Sequence, residues 1–184
     1  MNSLIQKRAF STSAATLYNY TATSNPRVFF SLSRDGAKLG DLVFEVYANH
    51  APRTAENFLA FIKGTASGSS YKGTTFTGGY PGIVLQGGRA SECNTSADGG
   101  RLVDEALNLR HTKRGVISFA NDGENANGSE FLISLGTTAN LLDGYHSVVG
   151  ELVEGQDVLD QAEQSLNRHG KLEHSIKIEE CGTR

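Results

Sequence analysis

The chain has 184 residues, 38% of them hydrophobic and 20% charged, which fits one domain and supplies enough apolar material for a core. Wholesale disorder is thereby excluded, and a formal charge of -3 gives no electrostatic case for binding nucleic acid. No apolar run approaches the roughly 20 residues that span a bilayer, and Cys93 and Cys181 alone make no disulfide framework. Residues 1–24 read differently from the rest. The first acidic residue is Asp35, while Lys7 and Arg8 precede a hydroxyl run through Ser11, Thr12, Ser13 and Thr16. An acid-free, basic, hydroxyl-rich N-terminus has the composition of an organelle transit peptide, and Arg8-Ala9-Phe10 before Ser11 resembles a mitochondrial processing site. The sequence thus predicts a mitochondrial targeting segment or an N-terminal arm over 1–24, then one domain over 25–184. The location expected is the matrix or a matrix-facing complex. Glycosylation-type triplets at Asn19, Asn94 and Asn127 mean nothing without a secretory route.

From Asn25 the pattern is globular. Val28, Phe30 and Leu32 alternate along one strand and Leu42, Phe44 and Val46 along another, with a turn at Asp35-Gly36 between them. Pro52 opens a helix in which Ala55, Phe58, Leu59 and Ile62 fall at i, i+3, i+4 and i+7, and Gly64 is placed to end it. A Gly/Ser/Thr loop from Gly64 to Gly79 leads to a short strand, Ile83 to Leu85. Val116 to Ala120 and Glu130 to Ser134 are further strands, joined by an Asn/Asp/Gly-rich loop from Asn121 to Gly128. A strand near Ser147 to Leu152 precedes a helix from about Gln156 to Leu166, with Val158, Leu159 and Ala162 inward, and Ser175 to Glu180 is a last strand. Twenty-one glycines, many strands and two isolated helices predict a mainly β fold, a closed antiparallel barrel capped at its ends.

Several segments in order resemble the cyclophilin family of peptidyl-prolyl isomerases. They are Phe44-Glu45-Val46-Tyr47, Ala51-Pro52-Arg53-Thr54-Ala55-Glu56-Asn57-Phe58, Tyr71-Lys72-Gly73-Thr74-Thr75-Phe76 and Gln86-Gly87-Gly88. Gly115-Val116-Ile117-Ser118-Phe119-Ala120-Asn121, Asn127-Gly128-Ser129-Glu130-Phe131-Leu132-Ile133 and Leu142-Asp143-Gly144-Tyr145-His146 follow. Each segment alone is weak; the ordered set, from about residue 26 to 182, is specific. The resemblance implies an eight-stranded barrel with two capping helices and a peptide pocket on the outside of the sheet.

It also implies a chemistry against which the chain can be checked. Rotation about a prolyl amide faces a barrier of about 18–20 kcal/mol that arises from resonance. A catalyst needs an apolar slot for the ring, donors for the twisted carbonyl, and a cation that draws the nitrogen lone pair out of resonance. In cyclophilins an arginine two residues after the phenylalanine matching Phe76 is that cation. Here the stretch reads Phe76-Thr77-Gly78-Gly79-Tyr80-Pro81-Gly82-Ile83, so Gly78 stands in its place. The nearest basic residue, Arg89, lies beyond the Gln-Gly-Gly turn and is expected to stay out of the pocket.

The family's pocket phenylalanines align with Ile83 and Leu132, its methionine with Val84, and its rim tryptophan with Leu141; the chain has no Trp. These changes keep a slot apolar but remove its flat walls. The matching peptide-binding residues are Gln86, Ala120, Asn121, Leu142 and His146, with the Gln86 amide and the Asn121 backbone on the peptide. Glu130 replaces a glutamine. Gln86 reads equally as a strand-end residue satisfying a turn, and His146 as a structural loop histidine. Gly87-Gly88 and Gly99-Gly100 lack the lysine of a phosphate loop and read as turns. His50, His111, His146, His169 and His174 show no metal-ligand spacing, and no cofactor or metal is expected.

The reading favoured by Gly78 is an interaction or scaffold subunit of a mitochondrial assembly, weak or inactive as a catalyst. The alternatives are a working isomerase assisting protein folding and a chaperone that holds peptides without turnover. The partners implied are proteins or proline-containing peptides, with no nucleic acid and no transmembrane segment. Restoring arginine at position 78 alone is expected to recover only part of the activity.

Overall fold

A computed structural model describes residues 24–91 and 93–184. The targeting segment and the Asn19 triplet therefore fall outside the described residues, apart from Ser24. Strands β1 (Arg27–Arg34) and β2 (Ala37–Val46) form a hairpin about Asp35-Gly36, followed by helix α1 (Pro52–Lys63). Then come β3 (Gly78–Tyr80), β4 (Val84–Gly87), β5 (Val116–Asn121), β6 (Asn127–Ser134) and a 3₁₀ turn, Thr137–Leu142. Strand β7 (Val148–Glu154), helix α2 (Gln156–Glu163) and β8 (Ile176–Thr183) complete the chain. The eight strands form one antiparallel sheet in the order β3-β4-β6-β5-β7-β2-β1-β8.

The expected mainly β class holds, with eight strands and two helices, but closure is partial. Residues 73–76 lie against β8 through the bridge of Thr75 with Lys177 and the bonds Gly73 N to Ile178 O and Phe76 N to Ile176 O. The chain then peels away to pair with β4. A strongly curled half-barrel, rather than a continuous closed ladder, results.

Its interior is aromatic. Phe30 stacks on Phe131 with centroids 5.5 Å apart, and Phe58, Tyr71 and Phe76 meet the Phe131 ring edge-on. Helix α1 presents Ala55, Phe58, Leu59 and Ile62 to this core, as their spacing predicts, with Phe61 beside them. Its N-cap, Ala51, has no side-chain acceptor, and the carboxylate of distant Glu105 accepts from Thr54 N at 2.8 Å instead.

Several boundaries differ from the sequence reading. Strand β3 lies at the end of the expected Gly64–Gly79 loop because Gly78 and Gly79 have no side chains to alternate. Strand β6 begins at Asn127, shortening the polar loop before it, and α2 ends at Glu163 as the chain turns to bridge Leu166 with Leu172. Asn94 and Asn127 are buried and their amides engaged, so neither triplet accepts a glycan in the folded protein.

Candidate functional site

Register places the family-matched residues. Gly78 pairs with Gln86, Gln86 with Leu132, and Leu132 with Ser118, so these four form one row on the outer face of β3, β4, β6 and β5. Tyr80, Val84 and Ser134 form the next row. Between sheet and 3₁₀ turn lies a small apolar cluster separate from the main core: Val84, Leu132 and Ala139 are buried, with Ile83, Ala120 and Leu142 packed at its edge. Ile83, Val84, Leu132, Ala120 and Leu142, which the family resemblance assigns to a proline slot, meet in this cluster. Leu141, matched to the family's rim position, is 69% exposed and is not among the residues of the cluster. Tyr80 and Tyr145, which the sequence reading left out, are exposed large hydrophobics on the neighbouring β3 edge and turn.

Beside the slot, Asn121 Nδ2 donates to Tyr145 O at 2.6 Å and His146 Nδ1 lies 3.0 Å from Phe119 O, fixing the 145–146 turn to β5. A carbonyl only accepts, so Nδ1 carries a proton, and Nε2 of a neutral ring is left as an acceptor. One level down, His111 Nδ1 and backbone N both bond Asp143 Oδ1, at 2.9 and 2.7 Å, while His111 Nε2 lies 2.9 Å from Ser118 Oγ. His111 and Ser118 are fully buried, so this Ser–His–Asp chain offers no nucleophile to a substrate. It ties the segment carrying Leu142 and His146 to β5. Burial holds the His111 pKa below its ordinary value against the opposing pull of Asp143. Partial burial raises the Asp143 pKa, but its hydrogen bonds to His111 outweigh this and leave it low.

Backbone crowds the residue that stands at the arginine's place in the sequence. Gly78 has φ +145°, and a Cβ there would stand 2.6 Å from Gly170 O. Gly79 N donates to that same carbonyl at 3.0 Å, so the 167–171 turn is pressed onto β3.

Arg89 is not among the residues of the apolar cluster and its side chain is 60% exposed, but it folds back across the Gly87-Gly88 turn, and its Nε donates to Glu130 Oε1 at 2.7 Å. Gln86 Nε2 donates to Glu130 Oε2 at 2.8 Å, joining the three residues in one polar row at the end of the slot. The cause is Glu130 itself, which is 4% exposed; a carboxylate so buried requires charged or hydrogen-bonding partners. That requirement, legible once Glu130 is set on a core-facing strand, was the missed signal. Asn94, also missed, is buried with φ +46°; its Oδ1 accepts from Ser129 N and Glu130 N, both at 2.9 Å, and its Nδ2 donates to Ala120 O at 3.2 Å. It aligns the row with the slot.

A cavity of about 420 Å³ lies elsewhere, between α1 and the 96–102 loop. Its lining mixes Arg53 and Arg101 with Glu56 and Asp98, which suits a proline ring less than the slot does.

A strongly curled half-barrel of eight antiparallel strands with two helices is the fold class that the sequence resemblance implies. The chain belongs to the cyclophilin-type peptidyl-prolyl cis-trans isomerase family, described as cyclophilin type peptidyl-prolyl cis-trans isomerase/CLD, which matches residues 29–183.

Proposed function

We propose that this chain is a protein-interaction member of its family, holding proline-containing segments in the outer-face slot without rapid turnover, as a subunit of a mitochondrial assembly. The observation that carries this is Gly78, whose side-chain space is taken by the Gly170 carbonyl, so no cation reaches the prolyl nitrogen from β3. Loss of one preorganised electrostatic contact costs about 10²–10³ in rate. Ile83 and Leu132 still give the ring an apolar seat.

The second reading, an active isomerase, is favoured by Gln86, Asn121 and His146 standing beside one slot with a guanidinium nearby. An NMR titration with a proline-containing peptide separates the two. Shifts at Leu132 and Gln86 without faster cis/trans exchange are expected; exchange within about tenfold of an ordinary cyclophilin, only 1.4 kcal/mol of barrier, overturns the first reading.

Mitochondrial placement rests on the basic, acid-free composition of residues 1–24. Fused to a reporter, this segment should direct it to mitochondria, and exchanging Lys7 and Arg8 for glutamate should abolish import. A diffuse reporter with the unaltered segment contradicts the placement.

A further inference from the structure

We propose that Arg89 is a specificity determinant of the slot, selecting proline peptides with a carboxylate two residues from the slot-bound proline; this rests on the peptide-binding reading above. Among the described residues the guanidinium is anchored at one edge only. Nε is bonded to buried Glu130, while the side chain as a whole is 60% exposed. Anchoring Nε fixes the plane of the fork and turns its Nη edge toward solvent, the edge that matches a carboxylate in a two-point contact. Gln86 is oriented by the same residue. Its Nε2 is committed to Glu130 Oε2, which leaves Oε1 as an acceptor for a peptide N–H. The polar end of the slot therefore offers one acceptor and one cationic fork.

Spacing sets where the carboxylate must lie. Leu132 forms the slot floor, and Glu130, which holds Arg89, is two residues along the same strand face. Two strand residues cover roughly 6.5–7 Å, the reach between alternate side chains of an extended peptide lying along the sheet. A peptide with proline over Leu132 thus brings a side chain two positions away over Arg89. The direction in which the peptide runs decides whether the acid precedes or follows proline.

The test uses the full chain and four synthetic heptapeptides with central proline, carrying Glu or Gln two residues before or two residues after it. Calorimetric titration at low salt should show one Glu peptide binding about fivefold tighter than its Gln counterpart, a modest factor because the contact is partly exposed. Added salt should shrink the difference. Arg89→Ala should erase the preference between the Glu and Gln peptides. Because Arg89→Ala strips buried Glu130 of its partner, the double variant Arg89→Ala/Glu130→Gln, neutral throughout the row, is the second arm and should also show no preference. Arg89→Glu should invert the preference toward a Lys peptide. Equal binding of Glu and Gln peptides by the unaltered chain, or a preference that survives both alanine variants, overturns the role of Arg89. Failure of all four peptides to bind the unaltered chain instead overturns the peptide-binding reading on which it rests.

Discussion

Gly78→Arg should produce a less stable protein without family-level isomerase turnover. At φ +145° a side chain is strained, which costs about 1–3 kcal/mol. The new Cβ would also meet Gly170 O at 2.6 Å, forcing the 167–171 turn off β3 and weakening the Gly79–Gly170 bond. Relief by backbone movement would carry the guanidinium away from the row shared with Gln86 and Leu132, and a misplacement near 1 Å can cost about a hundredfold in rate. The partial recovery expected from sequence alone therefore gives way to a stronger forecast: turnover stays at least about a hundredfold below a cyclophilin with the arginine in place. Adding Gly79→Ile does not help, because its Cβ would run into the Val84 carbonyl across the β3–β4 pair. Denaturant midpoints and NMR exchange rates on the single variant check both halves. Unchanged stability with family-level turnover would mean that only one charge separates this chain from an active enzyme.

The sequence revealed the parts of this fold that carry side-chain periodicity. Val28, Phe30 and Leu32 alternate, Ala55, Phe58, Leu59 and Ile62 recur at helical spacing, and each set is buried where its period places it. Ordered motifs also grouped Ile83, Leu132, Ala120 and Leu142, which each sit in a recognisable neighbourhood and meet in one cluster. What stayed hidden was set by pairs remote in sequence. Arg89 and Glu130 meet only because β4 pairs with β6, and Gly170 reaches Gly78 only because the turn after α2 returns to the sheet edge. Asn94 sat inside a glycosylation-type triplet, and nothing local showed that its amide is spent on three backbone groups of β5 and β6. Backbone collisions at Gly78 and Gly79 have no side-chain signature at all.

Asp143→Ala should destabilise the protein by about 2–4 kcal/mol and loosen the slot, since it leaves the backbone N–H and ring N–H of buried His111 without their acceptor. The segment from Leu141 to His146 would keep its hydrogen bonds through Asn121 and Phe119 and the packing of Leu142 but lose its tie to His111, so peptide affinity should fall along with stability. The acid dependence of stability follows from the same pair. His111 titrates lower in the folded protein than in the unfolded chain, so the unfolded state binds the extra proton as pH drops below about 6.5, and stability falls over that range. Asp143 is also held low, so its contribution is present above about pH 4 and is lost as pH falls through its folded value. Urea midpoints measured from pH 7 to pH 5 should therefore decline for the unaltered chain and flatten for His111→Gln. In Asp143→Ala the only partner among the described residues that raises the His111 pKa is gone, so the decline should extend to lower pH from an already reduced midpoint. An Asp143→Ala midpoint matching the parent at pH 7 would show that the 3₁₀ turn holds the slot together without this buried clamp.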